Sequence, residues 1–400
     1  MNYILRNGYF PFTNEITDIY IKEGIVQNIG EGFEKNNPQA KLIDLEGRIL
    51  MDGFVDSHMH LDKALIGERI INKSGTLNEA IKIMSKYKSQ MTKEDIKERA
   101  EKVLEMAFQK GTRFIRTHID VDETIGIKSV EVLLELKEKY KDMINIQIVA
   151  FPQEGIVGNR KSYNYLEEAL KLGADLVGGI PATEDEPIKH IKMIFELGMK
   201  YDVDIDMHID ETDDAKSLTI RDLANITIAN GYIGRVTAGH CCSLSANDKN
   251  TIRPVIDLVK KAKINIIALP STNLYLQGRG DEFNIRRGIA PVKLLLDNGI
   301  PVMIGSDNIR DPFNSFGNGN LLEELLIAAH GTQMGGEDDL NKLFDTVSIV
   351  PGKILGFGFG IKEKDKAKFI VLDARTKMDS IIGQVNIFGY FKNNMFEINI

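Results

Sequence analysis

The stretch Phe54-Val55-Asp56-Ser57-His58-Met59-His60-Leu61-Asp62-Lys63 carries an apolar run directly into two histidines spaced i, i+2. Successive side chains alternate faces in extended backbone, so this spacing points both imidazoles to one side. Imidazole is the commonest side-chain metal ligand, and a bound ion needs three or four ligands. Two polar residues at a strand end, each hydrogen-bonded to neighbours, would read the same way. The pair is half of a metal site only if the rest of the chain supplies the other half.

Outward from this run, over residues 51 to about 350, short β-branched runs alternate with longer charged, amphipathic stretches. That is the pattern of repeated βα units around a parallel sheet. Eight runs can be counted, at 54–56, 113–116, 145–149, 175–179, 204–207, 235–238, 265–268 and 302–304. Helices are expected at 94–110, 129–140, 165–172, 186–197, 218–230 and 247–263. Eight units predict a closed (β/α)8 TIM-type barrel over 51–354, in the α/β class. The two chain ends, 1–50 and 355–400, are β-rich and are expected to combine into one small β-sandwich domain beside the barrel.

The chain has 400 residues, 43% hydrophobic and 27% charged, which suits a soluble globular protein with a large core. Its net charge of −8 and the absence of a Lys/Arg cluster argue against a nucleic-acid partner. No apolar run reaches membrane-spanning length, so no membrane partner is expected. The two cysteines, Cys241 and Cys242, are adjacent, and neighbours rarely form a disulfide. With no leader-like N-terminus, a cytoplasmic location is the expectation.

Barrel chemistry sits at the C-terminal ends of the strands, so the polar residues following each run are the candidates. His58 and His60 follow the first run, His118 the second, Gln153 and Glu154 the third, His208 and Glu211 the fifth, His240 the sixth, and Asp307 and Asn308 the eighth. Five of the seven histidines thus recur in one structural phase. Separate structural roles would not require that coincidence, and a metal centre would.

These residues resemble the pattern of the amidohydrolase superfamily. Within it, Ala150-Phe151-Pro152-Gln153-Glu154-Gly155-Ile156, His208-Ile209-Asp210-Glu211-Thr212-Asp213-Asp214, and Leu276-Gln277-Gly278-Arg279 with Arg286-Arg287-Gly288-Ile289 are similar to the bacterial cytosine deaminases. The resemblance implies that His58, His60, His208 and Asp307 hold one divalent ion, iron or zinc, which lowers the pKa of a water towards neutrality. Asp307 would accept the water proton, Glu211 would pass a proton to the ring nitrogen, and His240 would orient the attacking oxygen. Gln153, Asn308 and Phe313 would contact a small N-heterocyclic substrate. The implied reaction is deamination of a cyclic amidine, cytosine to uracil plus ammonia by default, as in pyrimidine salvage, in a homo-oligomer.

Glu211 also lies in an acidic run with Asp210, Asp213 and Asp214, where a carboxylate could simply serve a helix N-terminus. Lys63 is expected in a surface or structural ion pair, His118 as a structural histidine, and His190 and His330 as ordinary helix residues. Binuclear members carry a modified lysine after strand four, where this chain has Gly178-Gly179-Ile180-Pro181, so one metal is favoured. Asn308 stands where cytosine deaminases have a second acid, Phe313 replaces a larger aromatic, and Lys63 matches aminotriazine hydrolases of the same branch. Alternatives are therefore another N-heterocycle (isoguanine, creatinine or an aminotriazine), an amide-ring hydrolase such as a hydantoinase, and a non-catalytic metal- or ligand-binding barrel.

Overall fold

In the computed structural model, which describes residues 1–399, the opening run becomes the strand Phe54–Met59, buried at every position. Seven more follow: Thr112–Asp120, Asn145–Phe151, Leu176–Gly179, Asp204–Ile209, Val236–His240, Asn265–Ala268 and Val302–Ile304. Neighbours in the chain are neighbours in one eight-stranded parallel sheet, with helices between them. This is the expected TIM-type barrel. Burial on both faces explains why the strands read as apolar runs rather than as alternating patterns.

Five of these strands run further than their apolar stretches. His118 pairs with Val149, and Ile209 pairs with His240, so His118, His208 and His240 belong to the last residues of their ladders. Closure between strands eight and one is not a regular ladder. Met59 bridges to Asp307, the Asp307 amide donates to the His58 carbonyl (2.8 Å), and the His60 amide donates to the Asp307 carbonyl (3.2 Å). A Cβ on Gly305 would lie 2.6 Å from the His58 oxygen, so only glycine permits this approach. The barrel seam therefore runs through the histidine pair.

The helix Lys93–Gln109 illustrates how the outer ring forms. The Thr92 side chain caps it by accepting from the Asp95 amide, and Ile96, Ala100, Val103, Leu104 and Ala107 recur at helical spacing on its buried face. A further helix, Leu77–Lys88, lies in the long connection after strand one and was not among the expected elements.

The chain ends form two four-stranded sheets. One holds Asn2–Phe10, Glu15–Lys22, Ile25–Gly30 and Lys41–Asp44, and the other holds Leu50–Met51, Ile370–Leu372, Ile387–Lys392 and Met395–Ile398. Tyr3, Leu5 and Ile19 share one apolar core with Phe369, Val371 and Phe391. Among the described residues, no helix is long and apolar enough to cross a membrane.

Candidate active site

Four strand ends and the seam converge on one buried cluster. Nε2 of His58 and Nε2 of His60 each lie 3.4 Å from Asp307 Oδ1, and Nε2 of His60 lies 3.3 Å from Nε2 of His208. Donor atoms of His58, His208, His240 and Asp307 also fall within 4.8 Å of one another. His58 and Asp307 are almost completely buried, and both Asp307 oxygens and both His58 nitrogens lack hydrogen-bond partners among the described residues. Asp307 and His240 hold left-handed backbone conformations (φ 58° and 67°), which side chains with a Cβ rarely adopt and which cluster at functional sites.

This donor set fits a divalent ion. Ligands about 2.0–2.1 Å from a tetrahedral ion stand about 3.3–3.4 Å apart, as the His58–Asp307, His60–Asp307 and His60–His208 pairs do. Burial pushes His60 down to about 3 and His208 well below the ordinary imidazole value, so both rings are neutral and carry a lone pair. Lone pairs and a carboxylate facing one another without a cation would repel.

Tautomers separate His60 from His240. Nδ1 of His60 lies 3.2 Å from the His118 carbonyl, an acceptor only, and 3.3 Å from the Lys63 ammonium, a donor only; with its proton given to the carbonyl, Nε2 is free to bind metal. The Asn273 amide donates to Nδ1 of His240 (3.0 Å), so Nε2 of His240 carries its proton. His240 therefore points an N–H, not a lone pair, into the cluster. Its ring is held neutral, at about 3, chiefly by burial.

Glu211 reaches the other side of His240, with Oε1 3.7 Å from Nδ1. Burial, and secondarily the charge of Asp307, pushes Glu211 well above the ordinary carboxyl value. The helix-terminal duty falls to its neighbour. Asp210 accepts from the amides of Thr219 (2.9 Å) and Ile220 (3.0 Å) at the head of helix Thr219–Ala229.

The three expected substrate contacts are also buried at this rim. Gln153 follows Phe151, whose ring stacks on His208 at 4.2 Å. Asn308 follows Asp307 and donates to Asp311 (2.7 Å). Phe313 lies 6.0 Å from the Lys63 ammonium, which also sits 5.9 Å from Phe151. Lys63 is not on the surface. It is fully buried, 2.6 Å from Asp120 and 3.3 Å from Nδ1 of His60. Asp120 in turn meets Lys88 (2.8 Å), which also binds Asp122 and Glu154.

Further buried side chains back the cluster. His118 stacks on His58 at 4.0 Å and lies 3.3 Å from Asp206, which is paired with Arg116 (2.8 Å). His58, His118 and Asp206 bring donor atoms within 4.8 Å of one another, a second group that shares His58 with the first. His118 was placed on this rim by its strand phase, but Asp206 lies two residues before His208 inside a strand, and only the alternation of side chains could have marked it. His190 is structural as expected, accepting from the Ile180 amide (3.1 Å). At strand four, a Cβ on Gly178 would lie 2.8 Å from the Asp206 carbonyl, so no side chain fits there.

A family model described as the amidohydrolase family matches residues 41–381. N-isopropylammelide isopropyl amidohydrolase of Pseudomonas sp. (strain ADP) is 33% identical over 399 residues, covering 98% of this chain and 95% of that protein. Pterin deaminase of Rhizobium rhizogenes is 33% identical over 342 residues, covering 85% and 77%. The crystal structure of 5-methylcytosine deaminase from Klebsiella pneumoniae with 5-fluorocytosine superposes with a TM-score of 0.92 at 32% identity, covering 99% of this chain and 97% of that one. A barrel whose seam carries a histidine pair, closed by Asp307 and matched along most of its length, places the chain in the amidohydrolase family.

Proposed function

We propose that the chain is a metal-dependent hydrolytic deaminase of an N-heterocyclic amidine, with cytosine as the default substrate. The observation that carries this reading is the buried Glu211 carboxyl 3.7 Å from Nδ1 of His240, at the edge of four converging ligands. His58, His60, His208 and Asp307 would hold one zinc or iron ion. Such an ion lowers the pKa of a water towards about 7. Asp307 then accepts the proton of the attacking water. Glu211 donates its proton to the ring nitrogen beside the amino-bearing carbon, making that carbon a better electrophile. His240 directs its Nε2–H at the attacking oxygen and steadies the charge that develops there. Gln153, Asn308 and Phe313 hold the ring; the amine departs after receiving the proton that Asp307 took, and Glu211 recovers a proton from the added oxygen as that oxygen becomes the carbonyl.

The three relatives of similar identity are named for different rings: N-isopropylammelide, a pterin and 5-methylcytosine. Loss of an amine from an aminotriazine-like ring is therefore the second reading, supported also by Lys63 and Asn308. An ammonia- and amine-release assay over cytosine, 5-methylcytosine, isoguanine, creatinine and aminotriazines separates them. Release from a pyrimidine supports the first reading and release from triazines alone supports the second. Release from none of them, with metal bound, refutes both.

A further inference from the structure

Asn308 has an amide that could offer either its NH2 or its carbonyl to a substrate. The loop after it removes that choice. Asp311, 2% exposed, directs Oδ2 at the Asn308 Nδ2 (2.7 Å) and Oδ1 at the backbone amides of Phe313 (2.8 Å) and Asn314 (3.2 Å). Both carboxylate oxygens are thus engaged as acceptors. The Asn314 side chain closes the clamp by donating to the Asn308 backbone carbonyl (3.3 Å) and to Thr272 Oγ1 (3.2 Å), which itself accepts from the Asn308 backbone amide (3.4 Å). Among the described residues, nothing donates to Asn308 Oδ1.

We infer that Asp311 is a positioning residue that turns the Asn308 NH2 away from the substrate and its side-chain carbonyl towards it. This site then selects rings presenting an N–H, rather than a lone pair, at that edge. The inference rests on Asn308 being a substrate contact, as proposed above. It makes Asn308 an uncharged acceptor where the resembling enzymes carry an acidic acceptor. A site built to accept from an N–H rejects a ring lacking it, because two lone pairs would then face each other in a buried place.

Asp311→Asn inverts the arrangement. The substituted side chain would keep an oxygen for the two backbone amides and offer its own NH2 to the Asn308 side-chain carbonyl, turning the Asn308 NH2 towards the ring. The test measures binding of cytosine, which has a ring N–H, and of 4-aminopyrimidine, whose ring nitrogens carry only lone pairs. It uses the metal-loaded protein about two pH units above 7, because burial holds Asp311 up at about 7 and the carboxylate must be ionised. Asp311→Asn should cut the preference for cytosine by about tenfold or more. The swapped pair Asn308→Asp/Asp311→Asn should restore it, since the amide introduced on the loop can then hold a carboxylate acceptor in place. In an Asn308→Ala background Asp311→Asn should leave the ratio alone.

An unchanged ratio in Asp311→Asn, or a drop that persists in the Asn308→Ala background, would show that Asp311 only braces the loop. If Asp311→Asn does not fold, the swapped pair decides: a ratio like that of Asn308→Ala overturns the inference, and one like wild type supports it. If Asn308→Ala leaves cytosine binding unchanged, or if wild type binds neither ring, the substrate-contact reading fails rather than the clamp.

Discussion

Asp210 and Glu211 are adjacent carboxylates with opposite environments. Asp210 accepts two helix-terminal amides, while Glu211 faces His240 and is pushed well above the ordinary carboxyl value by burial. The acidic run in the sequence made a helix-end role equally available to either. Only the three-residue offset from His208, which matches the pattern of the resembling family, singled out Glu211. Glu211→Gln keeps the shape and removes the proton. Its kcat should fall by about 10²- to 10⁴-fold with metal content and substrate binding retained, read by steady-state kinetics and metal analysis. Unchanged turnover would remove Glu211 from the proton path.

At the scale of elements, the strand ends were legible because strands buried on both faces leave unbroken apolar runs that stop at polar rims. The rim candidates follow from that phase, and the family resemblance picks the ligands among them. What stayed hidden is the ionic bracing, in which Lys63, Asp120 and Lys88 come from three different segments. A lysine closing helix Leu77–Lys88 reads as a solvated charge complementing the helix dipole, yet Lys88 is 1% exposed. Nothing local in the sequence marks it as buried, since its partners lie more than thirty residues away. Lys88→Met removes the cation shared by Asp120, Asp122 and Glu154 and strands their charges. It should destabilise the fold by about 3–5 kcal/mol in urea unfolding, and a loss below about 1 kcal/mol would mean that water already screens these carboxylates.

Across the whole molecule, β-rich ends were legible at both termini, but not how their strands sort. Leu50–Met51 pairs with Ile370–Leu372, and that choice depends on which apolar faces meet, not on any local pattern. A second molecular property is the pH response. Glu324, on helix Leu321–Thr332, is raised to about 8 by burial, against which the Ser271 hydrogen bonds work only partly. The folded state keeps the proton that the unfolded chain releases above 4.5. This contribution to stability is therefore complete below 4.5 and lost as pH rises to 8. Glu324→Gln should lose less stability than wild type over that interval, by on the order of a few kcal/mol in denaturant titrations at several pH values. Parallel curves would place Glu324 in contact with solvent.

On the proposed function, the barrel seam and the rim build a one-ion hydrolytic centre. Metal content and amine release, measured on one sample before and after chelation, test it most directly. The account predicts one divalent ion per chain, release that ends with chelation, and recovery when one equivalent of zinc or iron is returned. Two ions per chain, or release that survives chelation, would contradict it.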